Sequence, residues 1–280
     1  MDLGLKDRVA LVCASSQGLG KAIAKSLAQE GASVAICSRN QKCLEETRQT
    51  LEAETNAKII SVVADLSLKQ DIEKLLETVE ANLGSIEILV NNTGNPPAGR
   101  LAQLSESDWD RAYQLVLMSA IRLTKGVIPS MIEGGWGRVI NIATSAVEQP
   151  RGDLLISTTF RAGLAAFSRA IAAELAEHNV LIHTVCPGVI GTGAMLNLAE
   201  NMAAAGEITV QAAKDRLTFG VPMGRMGEPE EIAALVTCLA SDRLNYMTGQ
   251  TITIDGGKLT VPLKSAYADA SRRINFEGKL

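Results

Sequence analysis

Aromatic residues are scarce, making up 3% of the 280 positions. That shortage argues against a base-stacking nucleic-acid platform and against an aromatic-rich β-sandwich, and it leaves aliphatic side chains and alanine to fill the core. Histidine is rarer still. His178 and His183 are the only two, so a zinc site or a serine–histidine triad has little to be built from. The five cysteines (Cys13, Cys37, Cys43, Cys186 and Cys238) are odd in number and include no C-x-x-C, the pattern of reduced, mostly buried thiols in a cytoplasmic protein. Positive charge is not in excess: the net charge is −4 and the pI about 5.4, which disfavours non-specific nucleic-acid binding through a basic face. No run approaches the roughly 18–20 apolar residues that span a bilayer. Asp2, Lys6, Asp7 and Arg8 ahead of the first apolar run do not read as a signal peptide.

What is present is a chain 46% hydrophobic and 21% charged, which excludes disorder and suits one sizeable core. Short apolar runs alternate with longer helical patterns. The spacing predicts strands at 8–13, 33–37, 58–64, 86–91, 138–142, 180–186 and 250–254. It predicts helices at 18–30, 41–54, 68–83, 106–132, 157–178 and 228–240, with Ile23, Leu27 and Ala28 on one side of the first. Strands that are continuously apolar suit a sheet covered on both faces, and the βαβα alternation makes that sheet parallel and doubly wound. Residues 1–257 read as one α/β domain, followed by a tail of mixed polarity at 258–280.

The first strand runs into Ala14-Ser15-Ser16-Gln17-Gly18-Leu19-Gly20 and then directly into a helix. Glycines there let backbone approach a pyrophosphate, and a helix N-terminus presents free N–H groups to the anion; a tight strand–helix turn is the plainer alternative. The second strand ends at Ser38-Arg39-Asn40, where an acidic residue would hold a ribose hydroxyl. Arginine suits a 2′-phosphate instead, favouring NADP over NAD, unless Arg39 is a solvated surface charge. Asp65 closes the third strand and Asn91-Asn92-Thr93-Gly94 the fourth, both at carboxyl ends where open parallel sheets bind ligands. Asp65 could equally cap the following helix.

These segments, with P-G-V-I-G-T at 187–192, G-R-M-G-E-P-E-E at 224–231 and T-G-Q-T-I-T-I-D-G-G at 248–257, resemble the short-chain dehydrogenase/reductase family across about residues 5–258. N-N-T-G-N-P-P and the stretch 208–231 are most similar to its 3-oxoacyl-(acyl-carrier-protein) reductase-like branch. The resemblance implies a Rossmann-type, seven-stranded, doubly wound parallel sheet with helices on both faces. It implies that Ser15, Ser16, Gly18, Leu19 and Gly20 meet the pyrophosphate, and that Arg39, flanked by Ser38 and Asn40, meets the 2′-phosphate. Asp65 and Leu66 would flank adenine, Asn92 and Gly94 the ribose, and Pro187, Gly188 and Thr192 the nicotinamide half. The family's first loop glycine is Ala14 here.

The family's catalytic asparagine, serine, tyrosine and lysine fall on Val116, Thr144, Ser157 and Arg161, so all four positions depart. Negative charge that grows on a carbonyl oxygen during hydride transfer needs a donor. A phenol beside a cation gives up a proton near neutral pH, whereas a serine hydroxyl is a far weaker acid and arginine stays charged. Three readings follow: an NADP-dependent reductase using Thr144, Ser157 and Arg161 with water as proton source; a dinucleotide-binding protein without turnover; or a lyase, isomerase or cyclase on the same fold. Residues 191–226, with Met195, Met202, Met223 and Met226, read as a cover over an apolar or acyl substrate, or as a helix pair packed on the sheet. Arg100, Arg122, Lys125 and Arg138 are candidates to meet an acidic acyl carrier protein, or are solvated charges. The small residues from Ala162 to Ala173 imply, by the resemblance, a homotetramer or homodimer, though helix propensity also explains alanines.

Overall fold

The computed structural model describes residues 1–260; the tail expected at 258–280 lies outside the described residues beyond a short turn at Lys258–Thr260. Seven strands form a single parallel sheet: β1 (Val9–Val12), β2 (Ser33–Ser38), β3 (Ile59–Val63), β4 (Ile88–Asn91), β5 (Gly137–Ile142), β6 (Val180–Pro187) and β7 (Thr251–Ile254). Their order is β3-β2-β1-β4-β5-β6-β7, with every neighbouring pair parallel. The direction of winding reverses between β1 and β4, so the connections that follow these two strands diverge to opposite faces of the sheet and leave a crevice at their carboxyl ends.

Helices α1 (Gly18–Gln29), α2 (Gln41–Thr55) and α3 (Lys69–Leu83) connect the first four strands. Along β1, Ala10 and Val12 enter one core while Val9 and Leu11 enter the other, as the two-residue period of a strand requires. The first core is closed by Ile23 and Leu27 of α1, Leu44 and Leu51 of α2, and Ile232 and Val236 of α9 (Pro229–Ala240). The second is closed by Ile72, Leu75 and Val79 of α3, by Leu123, Val127 and Met131 of α5 (Ser119–Glu133), and by Ala172 and Leu175 of α6 (Leu155–Ala176). Two cores, one on each face, explain why the strands carry no polar side.

Three elements differ from expectation. The helix expected at 106–132 is α4 (Glu106–Ala112), one wide π-helical turn (Tyr113–Met118) and α5. That run, Glu106–Glu133, is long and apolar enough by composition to cross a membrane, so the expectation that no such stretch exists is corrected. Val116, Ala120, Leu123, Val127 and Met131 of it are buried. Within 191–226 lie two helices, α7 (Gly193–Gly206) and α8 (Val210–Leu217). They pack on each other through Ala199, Ala203 and Ala213, forming a small core of their own, and not as a pair laid on the sheet. Arg138, read as a surface charge, is completely buried: Trp136 stacks on its guanidinium at 4.2 Å and Nη2 donates to Asn245 Oδ1 at 2.5 Å. Arg8 lies over the same indole at 3.9 Å. A buried arginine held this way cannot greet a partner.

Candidate active site

The strand–helix turn after β1 is held by side chains that the ligand edge never sees. Ser15 is fully buried; its Oγ donates to Val12 O at 2.7 Å and accepts from Cys37 N at 3.1 Å. Its side chain pins β1 to β2 and supports the turn, and it is not in the lining of the cleft that Ala14 and Ser16 border. A Cβ on Gly20 would stand 2.5 Å from Ala14 O and 2.7 Å from Ser15 Cα, so only glycine lets α1 start this close to the turn. Gly18 has φ +57°, which glycine adopts freely. Ala14 has φ +47°, a left-handed conformation strained for a residue with a Cβ. No side chain caps the first amides of α1 at Gln17, and no acidic residue sits in its first turn. Those N–H groups and the positive end of the helix suit an anion.

A cleft of about 600 Å³ opens at this point, lined by Ser16, Gly18, Leu19, Ser38, Arg39, Asn40, Asp65, Leu66, Asn92, Gly94 and Thr192 among the expected residues. Asn92 ties the end of β4 to the turn by donating to Cys13 O at 3.2 Å and Ala14 O at 3.3 Å. Thr192 faces Gly18 across the cleft, its Cγ2 standing 3.5 Å from where a Gly18 Cβ would be. Arg39 is exposed at the end of β2 and forms no ion pair among the described residues. Asn40 has a structural task, capping α2 by accepting from Cys43 N at 3.0 Å. Asp65 does not cap α3; its carboxylate accepts from Ser67 N at 2.9 Å and Ser67 Oγ at 2.7 Å, and it still borders the cleft.

Gln17, Ala64, Thr93, Asn95, Leu115, Gly193 and Ala194 also line the cleft. Most are neighbours of expected residues. Leu115 is brought there by the π-helical turn, for which the sequence carries no signal.

Gly20, Pro187, Gly188, Thr144, Ser157 and Arg161 are not in that lining. Pro187 is buried as the last residue of β6, and Gly188 packs on β7, where a Cβ would stand 2.7 Å from Asp255 Cα. The three candidate catalytic residues gather at the carboxyl ends of β5 and β6. Thr144 follows β5, and its hydroxyl accepts from Ala146 N at 3.4 Å. Ser157 and Arg161 sit one turn apart on α6 and are 8% and 4% exposed. Arg161 Nη1 donates to Ala143 O at 2.9 Å and Ile142 O at 3.3 Å. Burial pulls its pKa down to about 10, opposed weakly by Cys186. Burial likewise raises the Cys186 thiol to about 11, so it stays protonated. Val116 is buried at the asparagine position, and Tyr113 packs 5.9 Å from Phe160, itself 5.7 Å from Trp109. Tyr113 is thus an exposed residue whose ring leans on Phe160 of α6.

Residues 13–258 match the family described as enoyl-(acyl carrier protein) reductase. The chain is 34% identical over 255 residues to nodulation protein G of Azospirillum brasilense, covering 90% of this chain and 98% of that one. It is 30% identical over 257 residues to 3-oxoacyl-(acyl-carrier-protein) reductase FabG of Aquifex aeolicus, covering 92% and 99%. The crystal structure of L-sorbose reductase from Gluconobacter frateurii complexed with NADPH and L-sorbose superposes with a TM-score of 0.90 at 28% identity, covering 94% of this chain and 100% of that one. With the strand order, the glycine turn and the cleft at the reversal point, these likenesses place the chain in the short-chain dehydrogenase/reductase family, in its 3-oxoacyl-(acyl-carrier-protein) reductase-like branch.

Proposed function

We propose that the chain is an NADPH-dependent oxidoreductase that reduces a carbonyl group at a site without a phenol. The observation that carries the reading is Arg39, without an ion pair among the described residues, in the lining of a cleft that begins at the uncapped N-terminus of α1. Ser16, Gly18, Leu19 and the first amides of α1 hold the pyrophosphate, and Gly20 lets them approach it. Arg39, beside Ser38 and Asn40, takes the 2′-phosphate through charge-assisted bonds; NAD lacks that group and binds less well. Asp65 and Leu66 border the adenine end, Asn92 and Gly94 the ribose, and Thr192 the nicotinamide half, with Pro187 and Gly188 supporting its loop. Bound NADPH supplies the hydride.

The protein's part is to hold the carbonyl and meet the charge that develops on its oxygen. Thr144 and Ser157 donate hydrogen bonds to that oxygen, and Arg161 sets a positive field beside it. Water delivers the proton, because neither a serine hydroxyl nor a charged guanidinium is a practical acid near neutral pH. Absence of Thr144, Ser157 and Arg161 from the cleft lining is the observation that favours a second reading, dinucleotide binding without turnover.

Single-turnover NADPH absorbance with β-keto thioesters and small ketones separates the two. Consumption of NADPH is the expected result, and none with any carbonyl supports the second. The double change Ser157→Tyr with Arg161→Lys is expected to raise the rate about 100-fold or more by restoring a general acid. No gain contradicts the idea that only the proton donor is altered. An acyl carrier partner is supported by the similarity to the Aquifex reductase; Arg100 and Lys125 are its exposed candidates, whereas Arg138 is buried.

A further inference from the structure

Helix α2 turns Leu44, Thr47 and Leu51 inward, and all three are buried. Their spacing of three and four residues is that of a core stripe, where a hydroxyl is costly unless it is hydrogen-bonded. Thr47 is 3% exposed, and its Oγ1 donates to Ser16 O at 2.8 Å, 31 residues away in the chain. The other two threonines of the helix behave differently. Thr50 Oγ1 donates to Glu46 O and Thr55 Oγ1 to Leu51 O, each at 2.7 Å and within their own helix. Bonding back to the carbonyl four residues earlier is the ordinary outlet for a helical threonine. Thr47 forgoes it and reaches the turn after β1 instead. Among the described residues this is the one hydrogen bond that joins α2 to residues 13–17.

The carbonyl that Thr47 holds belongs to the peptide group between Ser16 and Gln17. Neither residue lies in a helix or strand, so no ladder fixes the plane of that group. In a trans peptide the C=O and the N–H point in opposite directions. A Ser16 oxygen drawn to α2 therefore turns the Gln17 N–H away from α2. That N–H makes no hydrogen bond among the described residues. Ser16, Gln17 and Gly18 border the same cleft as Ser38, Arg39 and Asn40. The Thr47 bond thus sets the direction of an unused donor at the edge of the cleft.

We propose that Thr47 is a positioning residue for the nucleotide: its hydroxyl fixes the Ser16–Gln17 peptide plane so that the Gln17 N–H meets a phosphate oxygen. Thr47 itself touches no ligand. The assignment rests on nucleotide binding in the cleft, as read above, and is independent of turnover. An anion gains more from an N–H that is already set than from one it must first turn, because the ordering cost falls on the folded protein and not on binding. The phosphate is either the diphosphate that NADPH and NADH share or the 2′-phosphate that NADPH alone carries, and the two nucleotides tell these apart.

The test is calorimetric titration of Thr47→Val with NADPH and with NADH. Valine keeps the β-branch and removes the hydroxyl. NADPH affinity is expected to fall about 10-fold, the worth of a misdirected hydrogen bond to a charged group. An equal fall for NADH assigns the diphosphate; an unchanged NADH affinity assigns the 2′-phosphate. Thr47→Ser keeps the hydroxyl and is expected to bind within about twofold of the unaltered chain. Leu51→Val loosens the same stripe and spares the hydroxyl, so it is expected to lower the melting temperature and leave the affinity alone. Unchanged NADPH affinity in Thr47→Val, or a fall of the same size in Leu51→Val or in Thr47→Ser, overturns the positioning role and leaves nucleotide binding in place. Failure of the unaltered chain to bind either nucleotide rejects the cleft reading on which the role rests.

Discussion

Among the described residues two arginines are buried, Arg138 and Arg161, and their surroundings differ. Arg138 has an indole face, the Asn245 carbonyl, the backbone carbonyls of Gly137 and Asn179, and Asp242 at 3.5 Å. Arg161 has two carbonyls and nothing acidic among the described residues. Burial pulls both guanidiniums down to about 10, so the difference between them lies in their partners and not in that shift. The effect on stability follows from proton affinity. Above about pH 10 the native chain gives up the Arg161 proton more readily than the unfolded chain does, so stability rises with pH there and the charged form is the costly one at neutrality. Arg161→Met is therefore expected to raise the melting temperature of the ligand-free protein, by the equivalent of about 1–4 kcal/mol in thermal denaturation, while impairing function. The same change at Arg138 is expected to lower it, because Asn245, Asp242 and two carbonyls lose their donor. A lower melting temperature for Arg161→Met contradicts the view of Arg161 as an unmatched charge. Neither arginine's burial was legible in the sequence, since the letter R at position 138 or 161 carries no sign of its neighbours across the sheet.

Elements were far more legible. All seven strands were expected within about two residues at each end, because burial on both faces leaves an unbroken apolar run as the signature. The glycine turn was legible for a like reason: Gly18 needs its φ and Gly20 its close approach, so both must appear in the sequence. A methyl at residue 20 is expected to cost about 1–3 kcal/mol through overpacking against Ala14 O and Ser15 Cα, read as a loss of thermal stability with weaker NADPH binding in Gly20→Ala. At Ala14 the reverse holds: Ala14→Gly removes the left-handed strain of about 1–2 kcal/mol and is expected to raise the melting temperature or leave it level. A marked drop would show that the methyl makes a contact outweighing the strain. The wide turn at Tyr113–Met118 was illegible, because its residues keep an ordinary helical pattern and only the hydrogen-bond spacing changes. The pair α7–α8 was half legible: its methionines and alanines marked an apolar segment, yet nothing in them said that the two helices would build a separate core.

For the molecule as a whole, the reversal of winding between β1 and β4 decides where a ligand can enter, and the glycine turn, Asn92 and Arg39 converge there. The outward face of α6 carries exposed Ala166, Ala170 and Ala173, small enough for close helix–helix approach. That face supports a homo-oligomer, and light scattering is expected to give a mass of two or four chains; one chain's mass contradicts it. The catalytic corner was legible as a departure from the family pattern, but its chemistry depends on the partners of three side chains that the sequence does not give. The account stands first on the cleft, and calorimetric titration of the purified protein with NADPH and NADH tests that most directly. Tighter binding of NADPH, with the preference falling about 10–100-fold in Arg39→Ala and NADH binding unchanged, is the predicted result. Absence of binding heat with both nucleotides, or an equal loss for both in Arg39→Ala, would contradict it.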